Sequence, residues 1–210
     1  MSVFATNTKF VYHAKKVMGI CISLFILGLG VSCFYKAGLG SDPISCFIDG
    51  IHNIFNVSYG FATFIYNFSA FLIIAIVNRK LIRAGTIFYT FFVGIFVNIT
   101  GYFLDVLLID NLPIYIRAIL LIFGTVLLGV GTGSFIWLDI GMGVADVIAT
   151  SLSRLLKISY TCSRVSLDIA FTVCGYVLGG VVGIGSIVGM FATGFIISAT
   201  ISVLNKIRGK

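Results

Sequence analysis

Six apolar runs, each about as long as a membrane-spanning helix, constrain this chain more than any other feature. A run of roughly 20 residues is what an α-helix needs to cross the hydrocarbon core of a bilayer. Charged residues make up only 10% of the 210-residue chain, against roughly 25% in a soluble domain. We therefore expect an all-α polytopic membrane protein and not a soluble enzyme, a disordered chain or a coiled coil. The predicted spans are Val17–Tyr35, Tyr59–Val77, Gly85–Leu108, Ile114–Trp137, Tyr160–Gly180 and Gly185–Leu204.

Basic residues are distributed unevenly between the two sides of these spans. If the N-terminus is cytoplasmic, eleven Lys and Arg residues fall on the inner side and two, Lys36 and Arg117, on the outer side. Cytoplasmic loops carry the excess of basic residues, so the N-terminal segment 1–16 and the basic tail 205–210 are both predicted to be cytoplasmic. The basic residues lie between apolar runs rather than along one stripe, which argues against nucleic acid as a partner.

Two helix-length stretches are too short to cross a bilayer. They are PISCFIDGIHNIF at 43–55 and VADVIATSLSRLLKI at 144–158, and each follows a glycine-rich turn. Both are about half apolar, which is typical of a segment that enters the membrane partway or lies at its surface. We predict two half-helices, either re-entrant or interfacial.

The two halves of the chain share a glycine pattern. Four glycines recur 103 residues later, and further matches occur at 101 residues (Tyr59 with Tyr160) and at 100 residues (Gly85 with Gly185). We interpret the pattern as a duplication, with repeat one at 17–108 and repeat two at 114–204. Three spans per repeat is an odd number, so the repeats have opposite orientations, as in many transporters. The prediction is six transmembrane helices and two half-helices in a 3+3 inverted-topology repeat. The glycine pairs are Gly28 and Gly131, Gly30 and Gly133, Gly38 and Gly141, and Gly40 and Gly143.

The segment GLGSDP at 38–43, the GTI at 85–87 with Gly94, and their second-half counterparts resemble the YitT/YczE-type family of bacterial integral membrane proteins. The resemblance covers essentially the whole chain. Members of that family are largely of unknown molecular function. The resemblance therefore implies a bacterial plasma (inner) membrane location and adds little chemistry.

Asp168 is the most informative candidate residue. It lies eight residues into the fifth span, about 12 Å deep, and an acidic side chain at that depth usually marks a functional site. Arg164 lies one turn earlier on the same helix face, and Asn67 has the equivalent position in repeat one. We predict a central substrate-binding site formed by these three residues and Asn98 of the third span. The alternative is a structural Asp168–Arg164 ion pair that only fixes the packing.

The half-helices supply the other candidates. Asp42 and Asp146 lie where the half-helices begin, and each suits a helix cap. A half-helix N-terminus also offers free N–H groups to an anionic group, and glycines permit close backbone approach. Asn98, in the third span, either packs between helices or lines a cavity. The glycines assigned to the predicted substrate entrance are Gly38, Gly40, Gly141 and Gly143.

These features favour a transporter that moves an unknown small solute or ion by alternating access, and a homodimer would offset its small size. The alternatives are a membrane scaffold or regulatory partner of another protein, and a substrate-capture subunit of a larger uptake complex. The sequence contains no catalytic triad, phosphate-binding loop or metal-ligand cluster. We therefore predict no enzyme activity, no catalytic residue, no cofactor and no metal site.

Overall fold

The computed structural model describes residues 2–107 and 112–209, and these residues form eight α-helices and one short 3-10 helix. The predicted all-helical fold class is thereby confirmed. The end of the third predicted span, Leu108, lies outside the described residues. The α-helices are α1 Ser2–Ala37, α2 Pro43–Phe55, α3 Tyr59–Asn78, α4 Ala84–Leu107, α5 Ile114–Trp137, α6 Val144–Leu156, α7 Tyr160–Val177 and α8 Ile184–Ile207, and the 3-10 helix is Arg79–Leu81.

In the part of the chain that the structure describes, five helices are long and apolar enough to cross a membrane. They are α1 from Lys16 onward, α3 with the 3-10 turn that follows it, α4, α5 and α8. The predicted fifth span is not among them: α7, with 18 residues, is long enough, but with Arg164 and Asp168 in its sequence it is not apolar enough. Residues 2–16, predicted as a separate polar segment, belong to the same helix as the first span.

The two short helices begin and end at defined local signals. Asp42 is the N-cap of α2, Pro43 is its first residue, and the Ser45 N–H donates to the Asp42 carboxylate at 3.4 Å. This arrangement suits the free N–H groups of a first turn. Helix α6 begins after Gly143, and Asp146 lies within its first turn.

Both short helices end at a residue in the left-handed conformation, Asn56 for α2 (φ 50°) and Lys157 for α6 (φ 56°). Left-handed backbone terminates a helix. Helix α6 therefore ends two residues before the predicted position 158.

Helices α1 and α5 cross at the centre of the molecule, and glycines allow their backbones to touch. A Cβ atom on Gly30 would lie 2.6 Å from the backbone nitrogen of Leu128, and one on Gly131 would lie 2.5 Å from that of Leu27. The two contacts are reciprocal, because Gly30 and Gly131, like Leu27 and Leu128, are 101 residues apart. Glycines that let helix backbones approach closely are typical of membrane helix packing.

A spacing of 100 or 101 residues also separates the starts of other helices. The 103-residue spacing of the glycine pairs does not recur among them. Helices α2 and α6 begin 101 residues apart, as do α3 and α7, whereas α4 and α8 begin 100 residues apart. The helix pairs in contact follow suit: α1 packs on α4 and α5 on α8, α2 on α3 and α6 on α7, and α2 on α7 and α6 on α3. These helix starts thus differ by 100 or 101 residues, whereas the predicted glycine pairs differ by 103.

One helix pair breaks this correspondence. Helix α3 packs closely against α4, where the backbones of Gly60 and Gly94 meet. A Cβ atom on Gly194, the α8 counterpart of Gly94, would meet nothing within 4 Å. Only 6% of the apolar window of α8 is buried. In the described residues, α3 and α4 are thus in contact, whereas a gap separates α7 from α8.

Candidate functional site

A cavity of about 560 Å³ lies in the middle of the helices, and all eight α-helices contribute to its wall. It extends into the gap between α7 and α8, where Phe191 and Phe195 are both lining residues and exposed on the outer surface. The N-terminal ends of the two short helices, α2 and α6, face the same cavity through Asp42 and Asp146. Its volume lies within the range of small-molecule pockets.

The structure brings six of the ten predicted site residues to this cavity. Asp168 and Arg164 come from α7, Asn67 comes from α3, and the other three come from the starts of α2 and α6. These six residues are Asp42, Asn67, Gly143, Asp146, Arg164 and Asp168.

The remaining four lie elsewhere and have packing contacts. Asn98 accepts a hydrogen bond from the Gly60 N–H at 3.0 Å and so joins α4 to α3. The Arg117 side chain donates to the Gly38 carbonyl at 2.6 Å. Gly40 lies against the backbone of Gly183, directly before α8, and Gly141 lies against the backbone of Gly85 and Thr86 in the first turn of α4.

Arg164 lies between two carboxylates. Its Nη1 donates to Asp146 Oδ1 at 2.5 Å, and its Nε is 3.2 Å from Asp168 Oδ1. The first pair joins α7 to α6, and the second lies along α7 itself. The predicted Arg164–Asp168 pair therefore exists, but as part of a three-residue cluster that also contains the first turn of α6.

Asp42 is a second, separate carboxylate in the wall. Its side chain is nine-tenths buried, and Oδ1 has no hydrogen-bond partner, although Oδ2 accepts the Ser45 N–H. Burial raises the pKa of the Asp42 carboxyl above its ordinary value, while the Ser45 hydrogen bonds and the Arg164 charge oppose that rise. Gly189 of α8 packs against Asp42, since a Cβ there would lie 3.0 Å from the Asp42 Cβ.

Buried polar atoms without a hydrogen-bond partner are concentrated at this cavity. Four of them occur where the side chains are described, in residues 16–107, 112–159 and 162–209: Asp42 Oδ1, Tyr66 Oη, Asp168 Oδ1 and Thr193 Oγ1. All four residues line the cavity. Asp168 Oδ1 still has the Arg164 charge at 3.2 Å. An unsatisfied buried polar group costs about 1–3 kcal/mol, so the other three around one space favour a polar occupant.

Sequence reasoning identified the acidic members of this wall better than the neutral ones. The predicted site contained neither Tyr66 nor Thr193. The sequence of α8 carries a stripe of mostly small and polar residues at every fourth position, Ser186, Met190, Gly194 and Ser198, and the last three line the cavity. Thr193 adjoins that stripe, so a wider helical face would have included it.

The wall carries an excess of acidic groups. Among the side chains that the structure describes, three aspartates and one arginine face the cavity, and most of the remaining wall is apolar. Among the described residues no group of three His, Cys, Asp or Glu side chains is placed to hold a metal ion. The arrangement can therefore bind a charged or polar group at the acidic end and hydrocarbon along the rest.

Comparison with known proteins places the chain in one family. Residues 14–202 match DUF6198, a family of unknown function, and the chain belongs to it. An uncharacterised protein of Haemophilus influenzae is 27% identical over 190 residues, which are 90% of this chain and 84% of that protein. No solved structure matches. The resemblance to the YitT/YczE-type family stays a prediction.

Proposed function

We propose that this member of DUF6198 is a small transporter of the bacterial plasma membrane that moves a solute through its central cavity by alternating access. The observation that carries the proposal is that the N-termini of both short helices border one cavity. The same cavity is lined by four residues with a buried polar atom that has no hydrogen-bond partner. Inverted-repeat transporters place substrate sites near the bilayer midplane, at the ends of interrupted helices. No enzymatic role is part of the proposal.

A sixth span is part of this proposal. Helix α7 has 18 residues and so is about 27 Å long, close to the roughly 30 Å of the hydrocarbon core. Its Arg164 and Asp168 side chains line the cavity. Charged residues in spanning helices usually face such an interior space. The low hydropathy of α7 is therefore compatible with crossing the membrane.

The reciprocal helix contacts support an inverted duplication. Repeat one is α1 to α4 and repeat two is α5 to α8, and three spans in each half reverse the orientation of the second. The unequal distribution of basic residues supports the same arrangement, with both termini in the cytoplasm. Under this topology α2 enters from the outer side and α6 from the cytoplasmic side, so the two half-helices meet at the cavity as re-entrant segments.

Uptake into proteoliposomes tests the proposal. The purified protein is reconstituted and offered a panel of radiolabelled cationic, anionic and neutral metabolites. We expect uptake of one class, and we expect Asp168→Asn to abolish it while leaving the protein folded. Asp139→Asn is the matched control, because Asp139 pairs with Arg83 at 2.7 Å and both side chains are exposed, outside the cavity wall.

Two other outcomes separate the alternatives. Saturable binding without uptake across the panel would refute transport by the protein alone and favour a substrate-capture subunit. Normal function of Asp168→Asn in cells, together with loss of a co-purifying protein when Arg79, Lys80 and Arg83 are neutralised, would favour a scaffold.

A further inference from the structure

We infer that the cavity binds an organic monocation, with its ammonium or guanidinium group at Asp42 and its hydrocarbon part along the apolar wall. The inference rests on the proposed function only in using the same cavity, and it names the class of ligand. It is argued from charge, from the unsatisfied atoms and from the shape of the wall.

The charges of the wall favour a cation. Asp146 and Asp168 share the single Arg164 guanidinium, and Asp42 adds a third carboxylate. The N-termini of α2 and α6 contribute about half a positive charge each. With those partial charges included, about one negative charge is still unbalanced, so a monocation would neutralise the wall. An anion would meet a helix N-terminus already capped by Asp42.

The unsatisfied atoms indicate where the charged group binds. Asp42 Oδ1 accepts no hydrogen bond, although the side chain is nine-tenths buried. The Tyr66 side chain is only 6% exposed, and its hydroxyl also has no partner. An ammonium group has N–H donors that either oxygen can accept, and hydrogen bonds to a charged group contribute more than neutral ones. The rings of Tyr66 and Tyr89 also line the cavity and suit cation–π contact.

The remaining wall indicates an organic body rather than a bare ion. A volume of about 560 Å³ is much larger than an inorganic ion occupies. Aliphatic side chains from α1, α4, α5 and α8 surround it, and burial of hydrocarbon against them is favourable. The aliphatic members that matter here are Leu27, Val31, Val93, Val97, Leu128 and Met190.

Equilibrium binding to the purified full-length protein tests the inference with three probes of nearly equal size. They are 4-phenylbutylammonium, 4-phenylbutyrate and 4-phenylbutanol, measured by calorimetry in the same detergent. We expect saturable binding of the ammonium compound, and at least tenfold weaker binding of the carboxylate and of the alcohol. Saturable binding of the carboxylate at equal or higher affinity, or no saturable binding of the ammonium compound up to the millimolar range, would overturn the inference.

Variants locate the bound charge. Asp42→Asn keeps a side chain that can cap α2 but removes the negative charge, and we expect it to weaken ammonium binding at least tenfold. Asp105→Asn is the matched control, because Asp105 pairs with Lys36 at 3.0 Å and is 66% exposed, and its affinity should equal that of the parent. An Asp42→Asn protein with the parent's melting temperature and undiminished ammonium affinity would overturn the inference.

The binding inference and the transporter proposal can be refuted separately. Ammonium binding that is lost in Asp42→Asn, without uptake into proteoliposomes, would uphold the inference and refute the transporter proposal. Uptake of an anion with no ammonium binding would refute the inference and uphold the transporter proposal.

Discussion

The close crossing of α1 and α5 makes a quantitative prediction about Gly30. A Cβ at this position would lie 2.6 Å from the backbone nitrogen of Leu128 and 2.9 Å from the backbone oxygen of Gly124. Backbone atoms cannot rotate away, so the helices would have to separate by nearly 1 Å, and such overpacking costs about 1–3 kcal/mol. Alanine in place of glycine also favours the helix itself by up to about 1 kcal/mol.

The matched control for Gly30→Ala is Gly194→Ala. Both glycines lie within helices, but a Cβ at Gly194 meets nothing within 4 Å, so this variant has only the helix-propensity gain. We therefore expect Gly30→Ala to be less stable than Gly194→Ala by about 1–3 kcal/mol. Reversible unfolding in mixed micelles, followed by circular dichroism, measures the difference.

Equal stability of these two variants would refute the close approach of α1 and α5. The reciprocal contact supplies a further check, because a Cβ on Gly131 would lie 2.5 Å from the Leu27 nitrogen. Gly131→Ala should therefore resemble Gly30→Ala and not Gly194→Ala.

Three further predictions concern polar contacts and are measured by thermal unfolding. Arg164→Gln leaves two carboxylates without their shared cation. Because the arginine side chain is 30% exposed, we expect the free energy of unfolding to fall by about 2–3 kcal/mol and to recover in part when Asp168→Asn is added. An unchanged free energy of unfolding would contradict the ion-pair cluster. Burial raises the pKa of Asp49 to about 6, so near pH 5 the folded protein binds a proton that the unfolded chain does not. This proton stabilises the fold, and its contribution is lost as the pH rises through 6. Asp49→Asn should flatten the dependence of the melting temperature on pH, and an unchanged dependence would contradict the raised pKa. Asn98→Ala removes the acceptor of the Gly60 N–H and should cost about 1–2 kcal/mol, whereas a neutral effect would exclude a role in joining α3 to α4.

The helix boundaries were largely predictable because their signals are local. Pro43 and Pro113 mark the starts of α2 and α5, and the predicted limits of both helices agree with the structure. The end of α6 was missed by two residues, since left-handed backbone at Lys157 is set by the turn rather than by an apolar pattern. Local chemistry thus accounts for most of the secondary structure.

The site was less predictable because it depends on contacts between distant segments. Asp168 was identified by its depth in an apolar run, which is a property of sequence alone. The second partner of Arg164 could not be assigned, because the position of Asp146 against α7 depends on how α6 packs. Asn98 was ambiguous for the same reason: an amide in a spanning helix serves equally well in packing or in a cavity until its neighbour, here Gly60, is known.

Two-sided access to the cavity tests the central claim most directly and requires no known substrate. A single cysteine replaces Thr193, whose hydroxyl lines the cavity without a partner, in a chain whose five native cysteines are replaced by serine or alanine. A membrane-impermeant maleimide is then applied to right-side-out and to inside-out vesicles, with a Gly209→Cys variant as the cytoplasmic reference. Alternating access predicts that the cysteine at 193 reacts in both preparations, while the cysteine at 209 reacts only in inside-out vesicles. Reaction of the cysteine at 193 from one side only, under all conditions, would contradict transport through this cavity.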